Sequence, residues 1–286
     1  MAFSVCSWNV EFFGSRRPGE THAQVAERID NVFDLLAQPG IQSDVFAIYE
    51  VNGAQVFQKV THAFPDYSWQ ITEGPGTQQI LVGFRIPAFV TQRVEFSRGF
   101  TGPLRPGVLV TVPHQGQVYP MLFLHLKAAD AAIDFGVRAY QHDKVRSLRK
   151  SLDAAAATDR ANFIVAGDLN NVGMNLSFSG RDITIDEEID RLRHMYESRF
   201  DELVLLDKTA DATFWNGPGS SDPPADIDHV VAASRVHLAM VGQGQSVEVK
   251  GWPELTTDTA KGDWIHRFSD HALLRFTIEG AGQPHP

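Results

Sequence analysis

A single cysteine, Cys6, is all that the 286 residues contain. One thiol cannot close an internal disulfide or build a cysteine zinc site, so nothing here requires an oxidising compartment. No apolar run approaches the ~18 residues of a membrane-crossing helix, and no membrane span is expected. The opening MAFSVCSWNV has no basic leader and no separate apolar region before a cleavage site, which makes the cytoplasm the expected location. Basic residues are also scarce: 25 Lys and Arg stand against 35 Asp and Glu, a net charge of −10. Proteins that coat duplex nucleic acid draw their affinity from clustered Lys and Arg, so that class is disfavoured and no strongly basic groove is expected. An enzyme that grips one phosphate through a cation is not excluded, because carboxylates gathered around a divalent ion are neutralised locally. No repeat is detectable, no linker divides the chain, and no obligatory protein partner is evident.

Hydrophobic residues make up 43% of the chain, enough for a substantial core. Residues 1–279 are therefore expected to form one domain, with 280–286 a disordered tail that offers nothing to bury. Apolar alternation and Pro/Gly punctuation predict strands over 3–10, 45–51, 67–72, 79–85, 88–96, 107–112, 121–126, 162–165, 228–232 and 271–278. Three-to-four spacing of Val25, Ile29, Val32 and Leu36 predicts a helix over 22–38, and similar patterns predict helices over 134–157 and 185–196. Residues 200–206 read equally as helix or strand. The strands between 67 and 126 read as a meander rather than a βαβ series. Strand runs with helices inserted predict an α+β fold of packed sheets with helices outside.

Chemistry gathers at strand ends. Asn9 stands in SWNV, Glu50 in IYEV, His125 in HLKA, Asp168 and Asn170 in GDLN, Asp228 and His229 in DIDHV, and Asp270 and His271 in SDH. One aspartate after a strand is ordinarily a turn former or helix cap. Six such boundaries in one chain, each delivering metal-binding or proton-handling side chains, are poorly explained as independent accidents.

This ordered motif set resembles the endonuclease/exonuclease/phosphatase superfamily, the DNase I-like fold, from Asn9 to His271. The resemblance implies a four-layer α/β/β/α sandwich, two packed and mainly antiparallel sheets flanked by helices, with the site at one edge. It also implies a divalent metal, usually Mg2+ with Mn2+ able to substitute, and hydrolysis of phosphate esters. Mg2+ prefers oxygen ligands and is commonly held by one or two carboxylates plus substrate phosphate. Glu50 is then the expected direct ligand, Asp270 the second carboxylate, and Asn9 a hydrogen-bonding bridge. The resemblance pairs His271 with Asp228, and a carboxylate on one ring nitrogen leaves the other free to handle a proton. Asp168 and Asn170 would orient the attacking water and hold a non-bridging oxygen. With His125 the chain resembles the histidine branch, and HLKA with the helix containing Arg138, Tyr140 and Gln141 looks like bacterial nuclease-type members; Gln78 falls where DNase I has a glutamate supporting that histidine. Arg105 and Lys127 are candidate phosphate contacts, and Trp215 a candidate aromatic near the substrate. His229 is expected to face away and Asn171 to be a loop residue.

Leucine replaces the family's usual proline after SDH, and Asp226 occupies a position from which a carboxylate facing the phosphate would repel it. Specificity on this scaffold lies in loops, here 217–224 and 171–182, the latter expected to be mobile. The favoured expectation is a Mg2+-dependent nuclease acting on DNA or RNA. The alternatives are a phosphatase or phosphodiesterase on a small-molecule, nucleotide or lipid-head-group ester, and a catalytically silent binding module.

Overall fold

Residues 2–74, 76, 78–98, 104–156, 160–176, 181–198 and 202–282 are described by a computed structural model. Every residue of β1 (Phe3–Asn9) is buried. Helix α1 (His22–Leu36) begins with a capping box between Thr21 and Gln24, which satisfies the first free amides, and turns Val25, Ile29, Val32, Phe33 and Leu36 inward. It returns the chain to β2 (Val45–Val51), parallel to β1. Next come α2 (Ala54–Ala63), β3 (Ser68–Ile71), β4 (Gln79–Phe84), β5 (Phe89–Arg93), β6 (Gly107–His114) and β7 (Gln117–His125). The long α3 (Ala132–Ala155) then crosses to β8 (Ile164–Asp168), parallel to β7. The chain ends through α4 (Ile185–Tyr196), β9 (Leu203–Leu205), β10 (Asp228–Ala233), β11 (Val236–Leu238), β12 (Glu248–Lys250), α5 (Asp258–Arg267) and β13 (Leu273–Ala281).

One sheet has the order β11-β13-β1-β2-β4-β3, with β12 also on β13; the other is β5-β6-β7-β8-β10-β9. Alternation along β1 and β2 sorts their side chains between two cores. Phe3, Val5, Val45, Ala47 and Tyr49 face the other sheet, while Cys6, Trp8, Phe46 and Ile48 face the layer of α1 and α2. On the far side, Val145 and Leu148 of α3 join the core that includes β6, β7 and β8. This is the α+β, DNase I-like sandwich that the motifs imply.

Several expectations change. Between 67 and 126 the strand pairings β3–β4, β5–β6 and β6–β7 are antiparallel, as in a meander, while α1 and α3 outside those strands join the one parallel strand pair in each sheet, β1–β2 and β7–β8. Helices α2 and α5 escaped the periodicity because each turns few residues inward, Val56 and Val60 in one and Ile265 in the other. The strand expected over 88–96 stops at Arg93 and tightens into a 3-10 turn, Val94–Ser97. Of the ambiguous 200–206 stretch, Leu203–Leu205 is strand, and 200–201 lie outside the described residues. The tail boundary is also corrected: β13 runs through Gly280 and Ala281 because β11 pairs there, Val236 opposite Ala281. Residues 283–286 lie outside the described residues.

Candidate active site

Six strand termini converge at one end of the sandwich. In one sheet β1 ends at Asn9, while the β2–β4 pairing slips between Ile48 and Val51, and Glu50 in that bulge takes a left-handed φ of 59°. A bulge re-aims a side chain that regular pleating would turn elsewhere. In the other sheet His125, Asp168 and Asp228 stand abreast, because His125 pairs with Asp168 and Asp168 with Asp228 in register. His271 stands two residues before β13, held by Trp8 Nε1 donating to its carbonyl at 2.8 Å and by its own N–H donating to Ser269 Oγ at 3.1 Å. Tyr49 ties the sheets together beneath the site, its hydroxyl donating to the Ala166 carbonyl at 3.1 Å.

His271 Nδ1 lies 2.9 Å from Asp228 Oδ2, and its Nε2 lies 3.9 Å from both Asp168 Oδ2 and Asp270 Oδ1. Asn9 Nδ2 donates to Asp168 Oδ2 at 2.9 Å and to Glu50 Oε1 at 3.3 Å; His271 Nε2 is also 3.3 Å away. An amide nitrogen has two N–H groups, and carboxylates outcompete an imidazole for them. Asn9 therefore serves the carboxylates and leaves Nε2 free to carry its own proton. Asp168 accepts a further bond from the Asn170 N–H at 3.0 Å, and Asn170 Nδ2 donates to the Leu126 carbonyl at 3.2 Å. His125 Nε2 faces Asp168 at 3.3 Å and Glu50 at 3.8 Å.

The charges are crowded and dry. Burial, then the neighbouring Asp228, raises Asp168 from its ordinary 3.8 to about 7. Asp270 is raised by burial and by Glu50. Burial alone would depress His271, yet Asp228, Asp270 and Asp168 together lift it well above its ordinary value. His125 goes the other way, depressed well below the usual histidine range by burial and then by Arg105 and His271.

A divalent cation fits this donor set. Carboxylates made to hold protons by burial and then by neighbouring negative charge would release them to an ion, and Asn9 Oδ1 is a buried oxygen with no partner among the described residues. Among the described residues, ligand atoms of Asp168, Asp228 and His271 come within 4.8 Å of one another. Asp228 Oδ2 and His271 Nδ1 are already joined to each other, while Glu50, half-buried, stands at the edge of the cluster with its Oε1 accepting from Asn9.

The remaining predicted residues divide. Arg105 reaches the site's edge: Nε donates to Gln78 Oε1 at 3.0 Å and Nη1 to the Leu126 carbonyl at 3.1 Å, and its guanidinium feels the negative charge of Glu50 and Asp168. Gln78 thus holds Arg105 and not His125, whose Nδ1 has no partner among the described residues. Lys127 is turned to α3, with Nζ 3.1 Å from Asp134 Oδ1. The Trp215 ring lies against Trp252; its backbone N–H binds the Asp270 carbonyl at 2.9 Å, and the ring against His271 is Phe214, 4.9 Å between centroids. Asp226 is turned from the site by an ion pair with Lys208, which also donates to the Asp228 carbonyl at 2.7 Å and sits 3.2 Å from His229 Nδ1. The loop after GDLN is not loose where it is described, since the buried Arg138–Glu188 pair bonds the Gly173 backbone from both sides.

Sequence reasoning missed Glu11, raised to about 7 by burial and Asp270, and its partner Arg17 at 2.7 Å. It also missed Thr213, whose Oγ1 accepts from the Asp228 N–H at 3.0 Å, and Ser269, whose Oγ donates to the Asn9 carbonyl at 2.7 Å. Ser269 lay in plain view within SDH; the others carry no local signal.

A paired His–Asp facing clustered carboxylates, on the edge of a two-sheet sandwich, is the arrangement of a phosphate-ester hydrolase of the DNase I-like class. The chain belongs to the Endonuclease/Exonuclease/phosphatase family, whose model matches residues 6–271. Among curated proteins no match is found. Similar solved structures include D. rerio TDP2 complexed with single strand DNA product, 15% identical, covering 97% of this chain and 99% of that one, TM-score 0.66. The human Nocturnin catalytic domain with bound sulfate is 14% identical over 98% and 94% of the chains, TM-score 0.63. A family protein from Bacteroides thetaiotaomicron is 13% identical over 97% of each chain, TM-score 0.60.

Proposed function

We propose that the chain is a Mg2+-dependent phosphodiesterase, a nuclease on DNA or RNA, with Mn2+ able to replace Mg2+. The carrying observation is His271, gripped at Nδ1 by Asp228 at 2.9 Å while Nε2 faces the carboxylate cluster. That grip fixes the tautomer and stabilises the imidazolium, so Nε2–H is presented to a phosphoryl oxygen as charge builds on it. Asp168, near 7 and oriented by Asn9 and Asn170, is matched to accept a proton from an attacking water at neutral pH. Neutral His125 orients Asp168, and Arg105 sets positive charge at the rim. Glu50 and Asp270, bridged by Asn9, would hold the metal; when bound it supplies Lewis-acid polarisation of the phosphate.

A small-ester phosphatase is the second reading, favoured by the net charge of −10. The test is a panel of plasmid DNA, single-stranded DNA, RNA, inositol phosphates and bis-p-nitrophenyl phosphate, each with and without Mg2+ or Mn2+. Metal-dependent, salt-sensitive polynucleotide cleavage, abolished by Glu50→Gln, is expected. Release of phosphate from small monoesters without polynucleotide cleavage would transfer the assignment to the second reading.

A further inference from the structure

The loop after β1, residues 11–20, is pinned far more firmly than a surface connection requires. Arg28, only 2% exposed, donates from Nη1 to the Glu11 carbonyl at 2.9 Å, from Nη2 to the Ser15 carbonyl at 3.0 Å, and from Nε to Glu20 Oε1 at 2.9 Å. Arg17 binds Glu11 and caps the end of α5 through the carbonyls of Ile265, His266 and Phe268, at 3.1, 2.9 and 2.7 Å. The Asn52 N–H donates to the Phe13 carbonyl at 2.6 Å, and Gly14 must be glycine, since a Cβ would lie 2.1 Å from the Asn52 carbonyl oxygen.

All of this fixes Phe12 in a conformation it would not choose. Its φ is 50°, a left-handed backbone conformation that is strained for a residue with a side chain. Phe12 is 38% exposed, while the neighbouring Phe13 is fully buried and already supplies the packing. Its backbone N–H donates to Glu50 Oε2 at 3.1 Å, so the backbone that carries the exposed side chain is tied to the proposed metal ligand. Beside it opens a cleft of about 950 Å³, lined by Phe12, Arg16, Arg17, Pro18, Thr21 and His22. That is the upper end of the roughly 300–1,000 Å³ of ligand clefts. Arg16 and His22 are exposed and have no partner among the described residues, whereas the one carboxylate there, Glu20, is bound by Arg28.

A flat apolar ring next to the reaction centre, with a free guanidinium beyond it, matches a nucleotide: a base has a π face, and its outer phosphate is read by a planar cation. Resting on the phosphodiesterase reading above, we infer that this cleft is the subsite for the nucleotide flanking the scissile phosphate in single-stranded nucleic acid. Phe12 stacks its base, and Arg16 with His22 takes the next phosphate.

The test uses the full chain carrying His271→Ala, with Mg2+ and short single-stranded oligonucleotides in which 2-aminopurine is moved one position at a time. Fluorescence quenching at one position is expected, with affinity falling about tenfold on adding Phe12→Ala and retained with Phe12→Trp. Arg16→Ala is expected to reduce the salt dependence of binding by about one phosphate contact. Quenching and affinity indifferent to both Phe12 variants, in a protein whose unmutated form cleaves oligonucleotides, would overturn the subsite and leave the nuclease reading intact. Absence of both binding and cleavage would overturn the two together.

Discussion

His271 and Asp168 are the residues whose chemistry depends most on their surroundings. Replacing His271 by Ala or Asp228 by Asn is expected to lower kcat by about 10²–10⁴, with the double variant little worse than either single one. Steady-state kinetics at saturating Mg2+ checks this, and simple multiplication of the two losses would refute a shared function. Asp168, raised to about 7 from 3.8 in the ion-free fold, binds its proton more tightly folded than unfolded. Its contribution is therefore fully present below about pH 3.8 and lost as pH rises toward 7. The raised His271 acts in the same sense, while buried His142, depressed to about 3 by burial and Arg138, gives stability that is lost as pH falls below its ordinary 6.5. In chelator, the Tm of Asp168→Asn minus that of the parent should thus increase steadily from pH 4 to pH 7. A constant difference would mean that Asp168 does not carry this strain. The candidate residues were legible as types at strand ends. Which nitrogen of His271 meets Asp228, and that Phe214 rather than Trp215 lies against it, were not, because those contacts join residues far apart in the chain.

At the scale of elements, close approach explains the glycine of GDLN. Gly167 does not end its strand, which runs on to Asp168; it sits at φ 145° with a would-be Cβ 1.9 Å from the Leu124 carbonyl oxygen and 2.9 Å from the Tyr49 hydroxyl. Gly167→Ala should therefore cost at least ~2 kcal/mol, a fall in Tm of roughly 4–8 °C by calorimetry. The Arg138–Glu188 pair joins α3 to α4 and holds the loops behind HLKA and GDLN. Glu188→Ala leaves a fully buried guanidinium uncompensated, so urea unfolding should show a loss of about 3–5 kcal/mol. Helix α4 was readable to its ends because Thr184 and Glu187 form a capping box before a strong apolar stripe. Helices α2 and α5 were not, since a helix that buries one or two side chains leaves almost no periodic trace.

For the whole molecule, the decisive property is that two sheets bring like charges to one edge and leave them there. An ion that relieves this repulsion binds the folded chain alone, and Mg2+ at a hundredfold its Kd should add about 2.7 kcal/mol. Thermal scans with and without Mg2+ test it: the rise in Tm should vanish in Glu50→Gln, and an equal rise there would move the ion elsewhere. The six motifs, their order, the strands that carry them and the choice of hard-oxygen chemistry were all present in the linear chain, because side-chain type and period-two burial are local properties. The crossovers that make β1–β2 and β7–β8 parallel, the bulge that aims Glu50, and the loop that holds Phe12 beside it came only with the tertiary structure. Each is set by backbone closure and by burial between segments tens to hundreds of residues apart, and no window of sequence contains both partners.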